Sequence, residues 1–117
     1  MNTNYKNLKV WSKSVDFVSR IYEITSKFPN DEKFSLVSQI RRAAVSIPSN
    51  IAEWSWRNGI PELRQFLYIS KWSCLEVETQ LIISKNLWFI SESDFEVLNK
   101  DLDEIIKMLQ WFINSKF

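Results

Sequence analysis

Histidine is absent from this 117-residue chain, glycine and cysteine occur once each, and proline three times. Without histidine there is no Ser-His-Asp or Cys-His catalysis, no imidazole base and no histidine-based zinc site. An average composition would supply roughly eight glycines. A single one excludes phosphate loops and dinucleotide fingerprints, which need several. It also argues against small β-barrels and sandwiches, whose corners need positive φ. Cys74 alone makes neither a disulfide nor a thiolate cluster. It reads as a small buried residue in a reducing compartment. No apolar run approaches the ~20 residues of a membrane span. Residues 1–6 lack the apolar core of a secretory signal. The expectation is a cytoplasmic protein that engages no membrane, one domain over 1–117, with no cofactor and no metal.

What is present points to helices. Leu8, Trp11, Val15, Val18 and Tyr22 recur at helical spacing, and Phe17, Ile21, Ile24 and Phe28 widen that face. This predicts a first helix over 8–28, ended by Pro29. A second is predicted over 32–57, with Leu36, Ile40, Ala43, Ile47, Ile51 and Trp54 inward. Pro48 lies inside it and predicts a kink, because proline lacks an N–H and clashes with the carbonyl of Ala44. The alternative is two helices broken at Ile47. Asn58, Gly59, Ile60 and Pro61 form the next connection, and Pro61 suits a helix's first turn. The third helix runs to about Leu87, with Leu63, Leu67, Ser70, Cys74, Val77, Leu81 and Ser84 on one stripe. Ser91 and Asp94 predict a capping box opening a fourth helix, with Phe95, Leu98, Leu102, Ile105, Leu109 and Phe112 inward and Lys116 near its end. Together these make an all-α, antiparallel up-down-up-down four-helix bundle.

The net charge of +1 hides an asymmetry. Residues 1–71 hold 11 Lys/Arg and 6 Asp/Glu; residues 72–117 hold 4 and 8. Two readings stay open. Lys9, Lys13, Arg20, Arg41 and Arg42 face the phosphates of RNA or DNA, or they pair with acids of the third or fourth helix or of another subunit. Ser46, Ser49 and Asn50 surround Pro48; they line a polar groove or, the favoured reading, satisfy backbone groups freed by the kink. Glu53 and Arg57 are spaced as a local ion pair. A di-metal site is not expected, since that design needs Glu-x-x-His pairs. Glu76 and Glu78 lie on different helix faces and do not converge as a hydrolytic pair. The aromatics, 15% of the chain, are read as core or interface rather than base-stacking. The broad apolar face of the first helix implies a homo-oligomer.

The stretch Ser46-Ile47-Pro48-Ser49-Asn50-Ile51-Ala52-Glu53, with Ser38 to Val45 before it, resembles the signature of a four-helix bundle family. These are the proteins encoded in intervening sequences of 23S rRNA genes, also called the S23 ribosomal protein family. Tyr5 to Trp11, Leu75 to Leu81, Leu87 to Ile90 and Ile105 to Ile113 resemble other parts of it. The resemblance implies a homopentamer and no known reaction. It also implies a likeness in fold to the accessory protein of diversity-generating retroelements, a basic pentamer that binds reverse transcriptase. The expected function is therefore a non-enzymatic, oligomeric RNA-associated scaffold. The alternative is a module that docks a partner enzyme such as a reverse transcriptase.

The resemblance also sharpens the glycine deficit. Trp54, Trp56, Trp72, Trp88 and Trp111 stand where the family commonly carries glycine or another small residue; only Trp11 matches a family tryptophan. At 88 a glycine would serve as the left-handed cap of the third helix, and at 72 a tryptophan is expected to overpack a helix contact. Repeated one-way replacement is the signature of UGA codons that specify glycine in a reassigned code. UGA at 54, 72 and 88 with UGG at 11 is the expected result of reading the gene's codons; UGG at all four overturns it.

Overall fold

The computed structural model describes residues 5–57 and 64–115. A 3-10 turn at Tyr5–Asn7 leads into α1 (Lys9–Thr25). A second, Asn30–Glu32, interrupts the connection to α2 (Leu36–Trp56), which is followed by α3 (Gln65–Asn86) and α4 (Glu92–Asn114). Successive helices pack on one another, and α4 closes on α1. Cross-helix partners run in opposite chain directions. Lys13 meets Glu104, Arg20 meets Asp101 and Lys27 meets Asp94 between α1 and α4. Lys71 meets Gln110 and Lys85 meets Glu92 between α3 and α4. The bundle is thus up-down-up-down, and its 46 × 22 × 20 Å extents suit helices about 35 Å long. The connection expected at Asn58 to Pro61, together with Leu63 and Lys116, lies outside the described residues.

The core runs along the bundle axis. Ile40, Ile47, Ile51, Leu67, Cys74, Val77, Leu81, Leu98, Leu102, Ile105 and Leu109 are wholly enclosed, as their spacing predicts for α2, α3 and α4. Each such aliphatic side chain contributes about 1.5–3 kcal/mol of burial. On α1 the expected stripe is displaced. Val10, Ser14, Phe17, Ile21 and Thr25 are buried, whereas Leu8, Trp11 and Val18 only flank the core. The cause is that two hydroxyls share the inward face. Ser14 Oγ donates to the carbonyl of Trp11 at 2.8 Å and Thr25 Oγ1 to that of Ile21 at 2.6 Å. Hydroxyls satisfied on their own helix lose little by burial, so a stripe counted on apolar residues alone passes over them.

α1 stops at Thr25, short of the expected Phe28. α2 starts at Leu36, later than expected, because Ser35 adopts φ −119°, ψ −98° and breaks the turn. Through Pro48, by contrast, α2 continues unbroken, which removes the reading of two helices parted at Ile47. Ser91 opens α4 as expected: its hydroxyl accepts from the N–H of Asp94 at 3.1 Å.

α3 ends in a Schellman motif. Phe89 N–H donates to the carbonyl of Ser84 at 2.9 Å, and Trp88 N–H to that of Lys85 at 3.1 Å. This geometry puts Trp88 in the left-handed region at φ 65°, where glycine is preferred. Trp88 is 91% exposed, so no packing offsets the strain. Trp72, expected to overpack a helix contact, instead points outward and is 60% exposed. Trp54 is buried edge-on against Phe112. Trp88→Gly should therefore stabilise the fold by ~1 kcal/mol, read as a higher urea midpoint at unchanged slope; a lower midpoint would refute the strain argument.

Candidate nucleic-acid interface

The Pro48 segment is a packing device. Ser49 Oγ donates to the carbonyl of Val45 at 2.8 Å, and Asn50 Nδ2 to that of Ser46 at 2.9 Å. Across the helix contact, Ser70 Oγ reaches the carbonyl of Ile47 at 2.9 Å and Ser73 Oγ reaches Ser46 Oγ at 2.9 Å. Side-chain donors thus serve three successive carbonyls beside the proline. Ile47, Pro48 and Ile51 are buried, Ala52 and Glu53 half-buried. Ser49 and Asn50 thus bond carbonyls of their own helix, whereas the Ser46 hydroxyl meets the side chains of Asn50 and Ser73, and none of these bonds goes to the Ala44 carbonyl. Glu53 also meets Arg57 as its spacing suggests, at 2.9 Å.

The five basic residues named from the sequence fall into two groups. Lys9, Lys13 and Arg20 lie on the α1 flank that faces α4. Lys13 Nζ sits 2.6 Å from Glu104 Oε2 and 4.0 Å from Asp101, and Arg20 also bonds Asp101. The ammonium of Lys13 holds the Glu104 carboxyl below the usual carboxylate range, with smaller pulls from Lys100 and Lys9. A depressed carboxyl favours the fold above its unfolded pKa, and that contribution fades as pH falls through the lowered value. Two of the three cations on this flank are therefore engaged by acids of α4.

Arg41 and Arg42 stand elsewhere, about 20 Å along α1 from Lys9. Arg41 is fastened to the end of α1: Nε donates to Thr25 Oγ1 at 3.0 Å and Nη2 to the Tyr22 carbonyl at 3.2 Å. Its guanidinium carbon lies 4.4 Å from the centre of the Tyr22 ring, a cation–π contact. Arg42 is exposed. The connection between α1 and α2 folds over this pair and adds Lys33 and Phe34, which sequence reasoning did not single out. Two adjoining clefts, about 260 and 380 Å³, open here and share Lys33, Val37 and Arg41. Among the described residues, Lys33, Arg41 and Arg42 enter no ion pair, whereas Lys13, Arg20, Lys27, Arg57, Lys85 and Lys107 each do. Both fall inside the second helix expected over 32–57, and the one signal for them was an aromatic residue among polar neighbours.

Residues 6–111 match the family described as 23S rRNA-intervening sequence protein. The chain belongs to that family. A solved structure from Bacteroides thetaiotaomicron, described as a protein with unknown function from the S23 ribosomal protein family, is similar to it. Identity is 29%, the TM-score is 0.82, and the match covers 91% of this chain and 99% of that one. A search of curated proteins finds no match.

Other chemistry finds little to work with. Among the described residues no group of three or more His, Cys, Asp or Glu could hold a metal, and no helix is long and apolar enough to cross a membrane. The Cys74 thiol is pushed up to about 12, first by burial and then by the neighbouring Glu78 carboxylate. A thiol so placed is inert, since the thiolate is the nucleophile. Native protein should therefore resist iodoacetamide at mildly alkaline pH and label fully in urea, followed by mass; rapid native labelling would contradict the burial.

Proposed function

We propose that this chain is a non-enzymatic, homo-oligomeric scaffold that binds RNA through the α1–α2 corner. One observation carries the reading: Lys33, Arg41 and Arg42 are gathered at one place and enter no ion pair, whereas six other lysines and arginines among the described residues are paired with acids. Cations left open at one site are the footprint of a phosphate surface. The family's description as proteins of 23S rRNA intervening sequences makes RNA the first ligand to test. On this reading Arg41 and Arg42 contact phosphate, while Lys13 and Arg20 are held back by Asp101 and Glu104.

Oligomerisation draws support from α3. Its inner face is buried, yet Tyr68, Trp72, Leu75 and Ile82 are also exposed along its outside, recurring at steps of four, three and seven. An apolar stripe on a helix's solvent side is a face awaiting a neighbour. Trp72 adds to this: the family likeness implies a small residue there, although within the chain Trp72 is 60% exposed. A small residue on an outer stripe admits a helix from another copy. The pentamer implied by the family likeness is the expected assembly.

Two measurements test the proposal. Native mass should give a multiple of 14.0 kDa, with five copies expected. Filter binding of single-stranded RNA at two salt concentrations should show affinity falling steeply as salt rises. No binding at low salt, or binding indifferent to salt, refutes the RNA reading; a monomer refutes the scaffold.

A further inference from the structure

From the geometry we infer that the α1–α2 corner is a nucleotide subsite, taking one phosphate between Arg41, Arg42 and Lys33 and stacking the attached base on Phe34. The inference rests on the RNA reading and narrows it to a single-stranded ligand.

Four observations converge. First, Arg41 is already oriented. Two of its five N–H groups are used on Thr25 and Tyr22, and the Tyr22 ring holds its plane. The remaining donors are free for an anion, in a fork that suits phosphate oxygens. Fixed donors lose little entropy on binding. Second, α2 begins beside them without a side-chain cap: Ser35, at its N-cap, donates instead to Glu32 Oε1 at 3.1 Å. No side chain therefore caps the first N–H groups of α2, at the positive end of the helix. Third, the acids of the connection do not oppose the cations. Neither Asp31 nor Glu32 lines either cleft.

The fourth observation selects the ligand. Phe34 is 89% exposed at the mouth of the larger cleft. It stands clear of the core, and the Lys33 ammonium lies 5.5 Å from its ring centre. A bare phosphate site has no use for an exposed ring. A ring beside one ammonium, in a cleft that two guanidinium side chains also line, suits a planar base joined to a phosphate, the pattern by which single strands are held without sequence readout. Duplex RNA keeps its bases stacked inside and cannot use it.

The test is fluorescence anisotropy with labelled oligoadenylate, single-stranded and annealed to oligouridylate. Phe34→Ala should weaken single-strand binding about 5- to 100-fold and leave duplex binding unchanged. Arg42→Ala should weaken both and flatten the salt dependence by about 0.7 of a slope unit, one phosphate contact on a single strand. Both side chains are exposed, so the fold is kept, and Lys100→Ala on α4 serves as the control. If wild-type protein binds neither probe, the RNA reading itself fails. If it binds and Phe34→Ala matches wild type, or the duplex binds as well as the single strand, RNA binding stands and the stacking subsite is overturned.

Discussion

The bundle hangs on one contact, the crossing of α2 and α3 at Pro48. An interior proline costs a helix about 3 kcal/mol or more, through a missing N–H and a clash with the carbonyl four residues back. Side-chain donors crowd the turn before the proline: Ser49, Asn50 and Ser70 reach the carbonyls of Val45, Ser46 and Ile47, the three that follow Ala44. Two of those donors belong to α2 and one to α3, so the turn that carries the proline is also where α3 docks. Small residues on α3, Ser70, Ser73 and Cys74, permit the approach, and all three are buried. The α2–α3 contact is the most extensive in the bundle. Placing it places Trp54 against Phe112, and so α4, and sets where the N-terminal half of α2 meets the end of α1.

That last consequence reaches the candidate site. Arg41 lies two turns before Pro48 on the same helix, and its head is anchored on Tyr22 and Thr25 of α1. Its direction follows from two rigid helices and owes nothing to a loop. Phe34 and Lys33, by contrast, are carried by the connection. The corner thus joins a preset anion grip to an adjustable stacking ring. A sequence-tolerant ligand needs that combination, because phosphate spacing is constant along a strand whereas base orientation varies.

Much of this was legible in the residues. Regular helical spacing on α3 and α4 named most of their buried faces, because the inward positions there are apolar or small hydroxyls, Gln80 excepted. The face of α1 was misjudged by about one position, since Ser14 and Thr25 hide on its inner side and Trp11 and Tyr22 look more core-like than they are. Pairing of Lys13 and Arg20 with Asp101 and Glu104 could only be offered as one of two readings. Charge spacing within a helix says nothing about which neighbouring helix lies opposite. Lys33 and Phe34 were missed because the second helix is expected from residue 32, whereas Ser35 breaks the backbone and leaves both in the connection.

The left-handed cap at Trp88 brings these strands together. Spacing alone predicts that α3 ends near Leu87, and likeness to the family predicts glycine just beyond. The backbone agrees with the glycine and not with the tryptophan that stands there: a Schellman motif closes with φ 65° at a bulky, solvent-bathed side chain. Local preference and global fold conflict at this residue, and the global fold wins, because Phe89 must turn inward to meet Phe28 and Ile90 must reach the core. A fold that overrides a residue's own preference is specified elsewhere, here by the α2–α3 crossing and the long aliphatic core. The bundle therefore does not depend on the identity of its exposed tryptophans, and neither does the basic corner, which none of them lines.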